Sequence, residues 1–230
     1  LLFAGVFALI SNFAAFWWSD RLALAVHRAR PLDRAEAPWL YESVERLTRR
    51  AGLPMPRLYL VPSHTPNAFA TGRSPSKAAV AVTTGLLRIL DRREVEGVLA
   101  HELAHVQNRD TLIATIAATI AGAISGIASM LQWAMIFGMG RGGDDDEGPA
   151  GLVGMLALIL FAPLAATVLQ LAISRSREYG ADAVGAAMCG DPHALADALE
   201  KLERGVQHVP DNAHPAHASL YIVNPLAGSA

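Results

Sequence analysis

The sequence predicts a mainly α-helical membrane protein with a polar part that carries a small β-sheet. Three observations lead there. Hydrophobic residues make up 52% of the 230 residues and charged residues 17%, against about 25% charged in an ordinary soluble domain, and the mean hydropathy is +0.29. Three uncharged apolar stretches, residues 1–18, 112–137 and 152–173, lie near the length of about 20 residues that a bilayer-crossing helix needs. Between and after them run segments with ordinary helix and strand patterns. A net charge of −2 offers no footing for nucleic acid. The single cysteine, Cys189, excludes an intramolecular disulfide and a thiolate-rich metal site.

The first apolar stretch ends in Trp17 and Trp18, the aromatic pair suited to a headgroup boundary. Leu1 already lies inside that run, so the chain is expected to start partway through a hydrophobic helix. Arginine-rich segments follow the first and third stretches ("SDRLALAVHRARPLDR" and "SRSRE"), whereas the second and third are joined by the glycine-rich, acidic "GRGGDDDEGP". Arginine clustering marks the cytoplasmic side. The expected organisation is therefore a transmembrane helix over 1–18, a cytoplasmic part over 19–110, a transmembrane hairpin over 111–173 and a second cytoplasmic part over 174–230. Pro163 is expected to kink the returning limb, as membrane helices tolerate.

In the first polar part, "APWLYESVERLTRRAGL" has helical spacing and closes at Gly52, a C-cap residue. "PRLYLVP" and "AAVAVTT" read as short strands, with "SHTPNAFATGRSPS" as loop or extended chain between them. "DRREVEGVLAHELAHVQNRD" reads as a helix that runs directly into the second span at Asp110. Asp91 is its N-cap, with Glu94 three residues on to complete a capping box. After the hairpin, a helix through Met188 is broken by Gly190–Asp191–Pro192, and "HALADALEKLERGV" forms another.

The chemistry is concentrated in "HELAH". His101 and His105 stand four apart, so both imidazoles leave one helix face, where one tetrahedral zinc can take both. Glu102 is turned by about 100°, too far to serve as a third ligand, but it can take the proton of an attacking water, the role the H-E-x-x-H spacing gives it. No histidine follows until His193, so the third ligand must come from elsewhere. A hairpin that leaves at Thr111 and returns at Ile173 brings "SRSREYGAD" to the same surface. That segment supplies Glu178, with Asp182 one turn later. One Zn²⁺ per chain is expected, in a zincin-like cytoplasmic part whose zinc-binding helices are separated in sequence by the membrane hairpin.

"HELAH", the hairpin, "SRSREYGAD", "NAFATG" and "HVQNRD" together resemble the HtpX-type integral-membrane zinc metalloproteases, relatives of the CAAX prenyl proteases. The resemblance covers most of the chain. It implies His101, His105 and Glu178 as zinc ligands, Glu102 as general base and Asp182 as the acid that supports the first histidine. It further implies a stress-response protease that cleaves damaged or misfolded membrane proteins at the cytoplasmic face of a bacterial inner membrane. Against that pattern the sequence is expected to be a fragment, lacking an N-terminal span and the C-terminal end. "AHPAH" is the nearest match to a further His-Pro motif of that family, so His214 or His217 is a candidate oxyanion stabiliser.

Asn67, Phe69 and the strand with Ala79 and Val80 are candidates for an edge to which substrate adds as an extended strand. His27, His64, His193 and His208 have no partner pattern and read as surface residues, and Cys189 as a small buried one. The expected partners are protein substrates and the lipid bilayer, with oligomeric state left open. The competing reading is a non-catalytic membrane scaffold or adaptor with a structural or vestigial metal site.

Overall fold

The computed structural model describes residues 16–136 and 149–206, together with residues 10, 13 and 14. The first expected span therefore lies mostly outside the described residues. The chain divides into two compact units, Leu1–Ala14 with Ile113–Ser176, and Ala15–Leu112 with Arg177–Ala230.

In chain order the elements are α1 (Ser19–Val26), β1 (Arg30–Pro31), α2 (Pro38–Ala51), β2 (Arg57–Val61), β3 (Ala68–Thr71), a 3₁₀ turn (Pro75–Lys77), β4 (Ala79–Thr83), α3 (Thr84–Ile89), α4 (Arg92–Gln107), α5 (Asp110–Ile136), α6 (Pro149–Cys189) and α7 (Pro192–Val206). The fold is mostly helical with one small mixed sheet.

The sheet belongs to the second unit and has the order β1-β2-β4-β3. β4 runs parallel to β2 and antiparallel to β3, with Phe69 opposite Ala81 and Ala70 opposite Val80. Alternation along β4 serves two cores. Val80 and Val82 join Leu40, Leu47, Val98, Leu99 and Leu202 on the side of α2, α4 and α7. Ala79 and Ala81 join Leu24, Val61 and Phe69 on the side of α1. Every residue of β4 is buried, which accounts for its unbroken run of small and β-branched side chains.

α4 starts as its sequence dictates. Asp91 accepts from the Glu94 N–H at 2.9 Å, and the Glu94 carboxylate accepts from the Asp91 N–H at 2.7 Å. The same carboxylate meets Lys201 Nζ of α7 at 2.9 Å. Gly97 lets α7 close over this helix, since a Cβ there would lie 2.6 Å from the Leu195 backbone nitrogen. α2 closes at Gly52 (φ 66°) and α6 at Gly190 (φ 76°), as expected from sequence.

Four differences from the sequence expectation stand out. The basic segment after Trp18 contains a helix, α1, and a strand residue pair, β1, because Leu24 has a core to enter. Within the stretch expected as loop or extended chain, "AFAT" is a regular strand, β3, held by β4 along its length. A short helix, α3, follows β4, with Thr83 accepting from the Leu86 N–H as its cap. Finally, α4 does not run straight into α5: Asn108 and Arg109 form a turn, with Arg109 in the left-handed region at φ 56°.

α5 has 27 residues and α6 has 41, about 40 and 60 Å at 1.5 Å per residue, and the first unit takes α5 from Ile113 and α6 up to Ser176. Both contain segments long and apolar enough to cross a bilayer, Asp110–Met130 and Ile159–Cys189, with mean hydropathies of 1.9 and 1.5. Their large side chains, among them Ile116, Ile120, Leu160, Phe161 and Leu164, are exposed, whereas Ala121, Ala128 and Ala166 are buried. Helices whose surroundings are lipid distribute side chains in this way. Pro163 sits inside α6 without ending it.

Candidate metal centre

α4 is sided. Val95, Val98, Leu99 and Leu103 are its buried core residues, and His101 and His105 leave from another face, half-buried. Their Nε2 atoms face each other at 3.1 Å. Glu178 Oε2, from α6, lies 3.6 Å from His101 Nε2 and 3.7 Å from His105 Nε2. Two donors on one tetrahedral cation with bonds of about 2.0–2.2 Å stand about 3.3–3.6 Å apart. The three donors thus form a triangle of the size such an ion requires, and the chemistry of the set (two imidazoles and a carboxylate) suits zinc.

Each imidazole turns its other nitrogen to a second acid. His105 Nδ1 lies 2.5 Å from Asp110 Oδ2, and His101 Nδ1 lies 2.9 Å from Asp182 Oδ1. The Asp182 approach is a charge contact without hydrogen-bond alignment. Such outer carboxylates fix ring orientation and leave Nε2 as the free donor. Asp110 is nearly fully buried and Asp182 is exposed.

α6 reaches this position because Gly185 carries no side chain. A Cβ there would stand 3.0 Å from both Cα and N of His101, so the two backbones pass close together with Asp182 and Glu178 one and two turns earlier. Arg177 Nη1 donates to the Asp110 carbonyl at 3.2 Å, which joins the start of α5 to the segment of α6 that follows the apolar run.

Glu102 is buried, and its Oε2 accepts from the Ala70 N–H of β3 at 2.8 Å. Burial pushes its carboxyl above the ordinary range, against the lowering effect of the two histidines and of the Ala70 N–H. Burial also pulls His101 downward, but the nearby Glu178 carboxylate and the charges of Glu102 and Asp182 outweigh it, leaving the imidazole above its usual value.

Of the residues expected along a substrate strand, Asn67 and Phe69 are at or in β3, which is the edge of the sheet. Ala79 and Val80 are not on an edge: β4 lies between β2 and β3, and both residues are essentially inaccessible. That part of the expectation is corrected, because β4 has both its hydrogen-bonding sides filled. Phe69 faces the smaller core, where the His27 ring lies 5.0 Å away, so His27 is half-buried rather than a surface residue. Cys189 is also half-buried. His64 and His193 are exposed. His208, His214 and His217 lie outside the described residues.

Sequence reasoning missed two participants. Asp110 marks the start of the span in sequence, and an acid five residues after His105 is the signal for its second role. The Ala70 N–H had no signal at all, since a backbone donor is placed by strand pairing alone.

The fold and the donor set fit a membrane metalloprotease. The sequence profile described as peptidase family M48 matches residues 34–220, and the chain belongs to that family. A protein named "Protease HtpX homolog" from Desulforapulum autotrophicum is 54% identical, the match covering 100% of this chain and 74% of the relative. Proteins of the same name from Aquifex aeolicus (54% identical, 99% of this chain and 76% of the relative) and Pyrococcus furiosus (51% identical, 99% and 78%) match similarly. The crystal structure of S. mikatae Ste24p shares the fold, with a TM-score of 0.65 at 21% identity. That match covers 96% of this chain, which spans 55% of the length of the Ste24p chain.

Proposed function

We propose that this chain is a zinc-dependent membrane endopeptidase, with one zinc per chain held by His101, His105 and Glu178. The observation that carries the reading is the donor triangle, all three ligand atoms lying within 4.8 Å of one another, with a second acid behind each imidazole. When bound there, zinc supplies Lewis-acid polarisation of the scissile carbonyl and a lowered pKa for water.

The remaining work falls to the chain's own groups. Glu102 takes the proton of the attacking water and delivers it to the leaving nitrogen. Asp110 and Asp182 hold the two imidazoles with Nε2 turned inward. The β3 edge, with Asn67 and Phe69, pairs with substrate as an added strand, and its Ala70 N–H keeps Glu102 beside that edge. The arginine clusters flanking the apolar stretches support a topology with residues 1–18 and 111–173 in the membrane and residues 19–110 and 174–230 in the cytoplasm. Damaged or misfolded membrane proteins are the substrate class implied by the sequence resemblance, and we assign that class here.

Purified in detergent, the protein is expected to hold one zinc per chain by elemental analysis and to cut an unfolded membrane protein. Glu102→Gln should keep the zinc and lose cleavage by about 10²–10⁴-fold. Undiminished cleavage by that variant, or wild-type protein that neither holds zinc nor changes stability with chelator, overturns the reading.

A further inference from the structure

The turn joining α4 to α5 poses a question that the zinc site does not answer. Arg109 has φ 56°, a backbone region that suits glycine, then asparagine, at the residue after a helix, and that disfavours an ordinary side chain. Glycine would make this turn with less strain, so the backbone gives no reason for arginine. The Arg109 side chain is exposed, and among the described residues no acid pairs with it.

Beside it is a small cavity lined by Arg109, Arg73, His105, Ala70, Thr71 and Gly72, among others, with no aspartate or glutamate in its wall. Arg73 lies with its guanidinium 4.0 Å from the Trp17 ring and donates one N–H to the Trp17 carbonyl. A guanidinium has five N–H donors, so its fork is not used up by that contact. The cavity wall thus includes two arginines and no acid. Its volume is about 20 Å³, where a water takes about 10–15 Å³, so it has room for a small polar group.

Its position relates it to the reaction. Ala70, Thr71 and Gly72 form and follow the C-terminal end of the β3 edge, and His105 is one of the metal donors. The cavity wall therefore includes both the end of the strand edge offered to substrate and one of the metal donors. We propose that Arg109, assisted by Arg73, determines specificity for an acidic side chain of the substrate beside the cleaved bond. This rests on the peptidase reading and adds the chemical class of one substrate position.

The test uses the full chain in detergent and paired peptides that differ only by Asp/Asn or Glu/Gln at each of four positions flanking the bond. Wild type should favour the acid at one position by about tenfold in kcat/KM, mostly through KM, as a charge-assisted contact predicts. Direct binding to the Glu102→Gln protein should show a similar ratio. Arg109→Gly should bring both ratios close to one while leaving the thermal midpoint level or higher, and Arg109→Lys should retain part of the preference.

Acid/amide ratios near one in wild type, or ratios that survive Arg109→Gly, overturn the proposal. So does an Arg109→Gly effect on activation by phosphatidylglycerol vesicles with the ratios intact, which would make the cavity a lipid phosphate site. If wild type cuts no peptide but the binding ratio holds and falls with Arg109→Gly, the pocket stands and the endopeptidase reading falls.

Discussion

The two histidines of α4 are alike in sequence but unlike in their support. His105 leans on Asp110, a buried acid at the start of the next helix, and His101 leans on Asp182, an exposed acid on α6. A buried partner cannot be replaced by solvent, so the two contacts should differ in weight. Asp110→Asn is expected to weaken zinc binding towards the upper end of the 10–100-fold range typical of such outer acids, and Asp182→Asn towards the lower end, of order tenfold. Competition with a chromophoric chelator measures both. Equal effects would mean that burial does not govern this support. Arg109 is a further residue whose identity the local backbone does not explain, and its left-handed turn is the reason it stands out.

At the level of elements, the close approach of α6 to α4 at Gly185 determines whether Glu178 reaches the histidines. Gly185→Ala places a methyl 3.0 Å from the His101 backbone, closer than nearly all real contacts. The expected result is a wider α4–α6 separation, seen as faster zinc loss to chelator and a lower thermal midpoint. A second test concerns α4 itself: Asp91→Ala removes the cap acceptor and should destabilise the protein by about 1 kcal/mol in chemical denaturation. These features also mark what sequence could disclose. The capping box, the Gly52 and Gly190 stops and the His101–His105 spacing are local, and each was readable because its cause lies within a few residues. Glu178 was readable only through the hairpin argument, which needs nothing more than a chain that leaves and returns. The pairing of β3 with β4, the interior place of β4 and the turn at Arg109 were not readable. Each depends on pairing or packing with distant segments, and "AFAT" is too short to announce itself as a strand.

At the scale of the whole molecule, the polar unit is tied together by charged contacts that respond to pH. The Glu94 N–H holds Asp91 below the usual carboxylate range, and the Arg93 guanidinium does the same for Asp191. A carboxyl depressed in the folded state stabilises the fold above its unfolded value, near 3.8 here. That stabilisation is lost as pH falls through the folded value. The thermal midpoint should therefore fall more steeply below about pH 4 in wild type than in Asp91→Asn, which keeps a cap but cannot titrate. Parallel curves would remove Asp91 from the acid response. The Lys201–Glu94 contact, finally, has a meaning in time. It joins residues 107 apart in sequence, and Arg177 meets Asp110 across 67. A ribosome adding about 5–20 residues per second takes roughly 5–20 s to cover the longer gap. Within it, for the 73 residues from His105 to Glu178 or roughly 4–15 s, "HELAH" exists without Glu178, Asp182 or its α7 cover. A chain that has not yet made its returning helix therefore carries no complete site, and the order of synthesis itself delays the moment at which the enzyme can act.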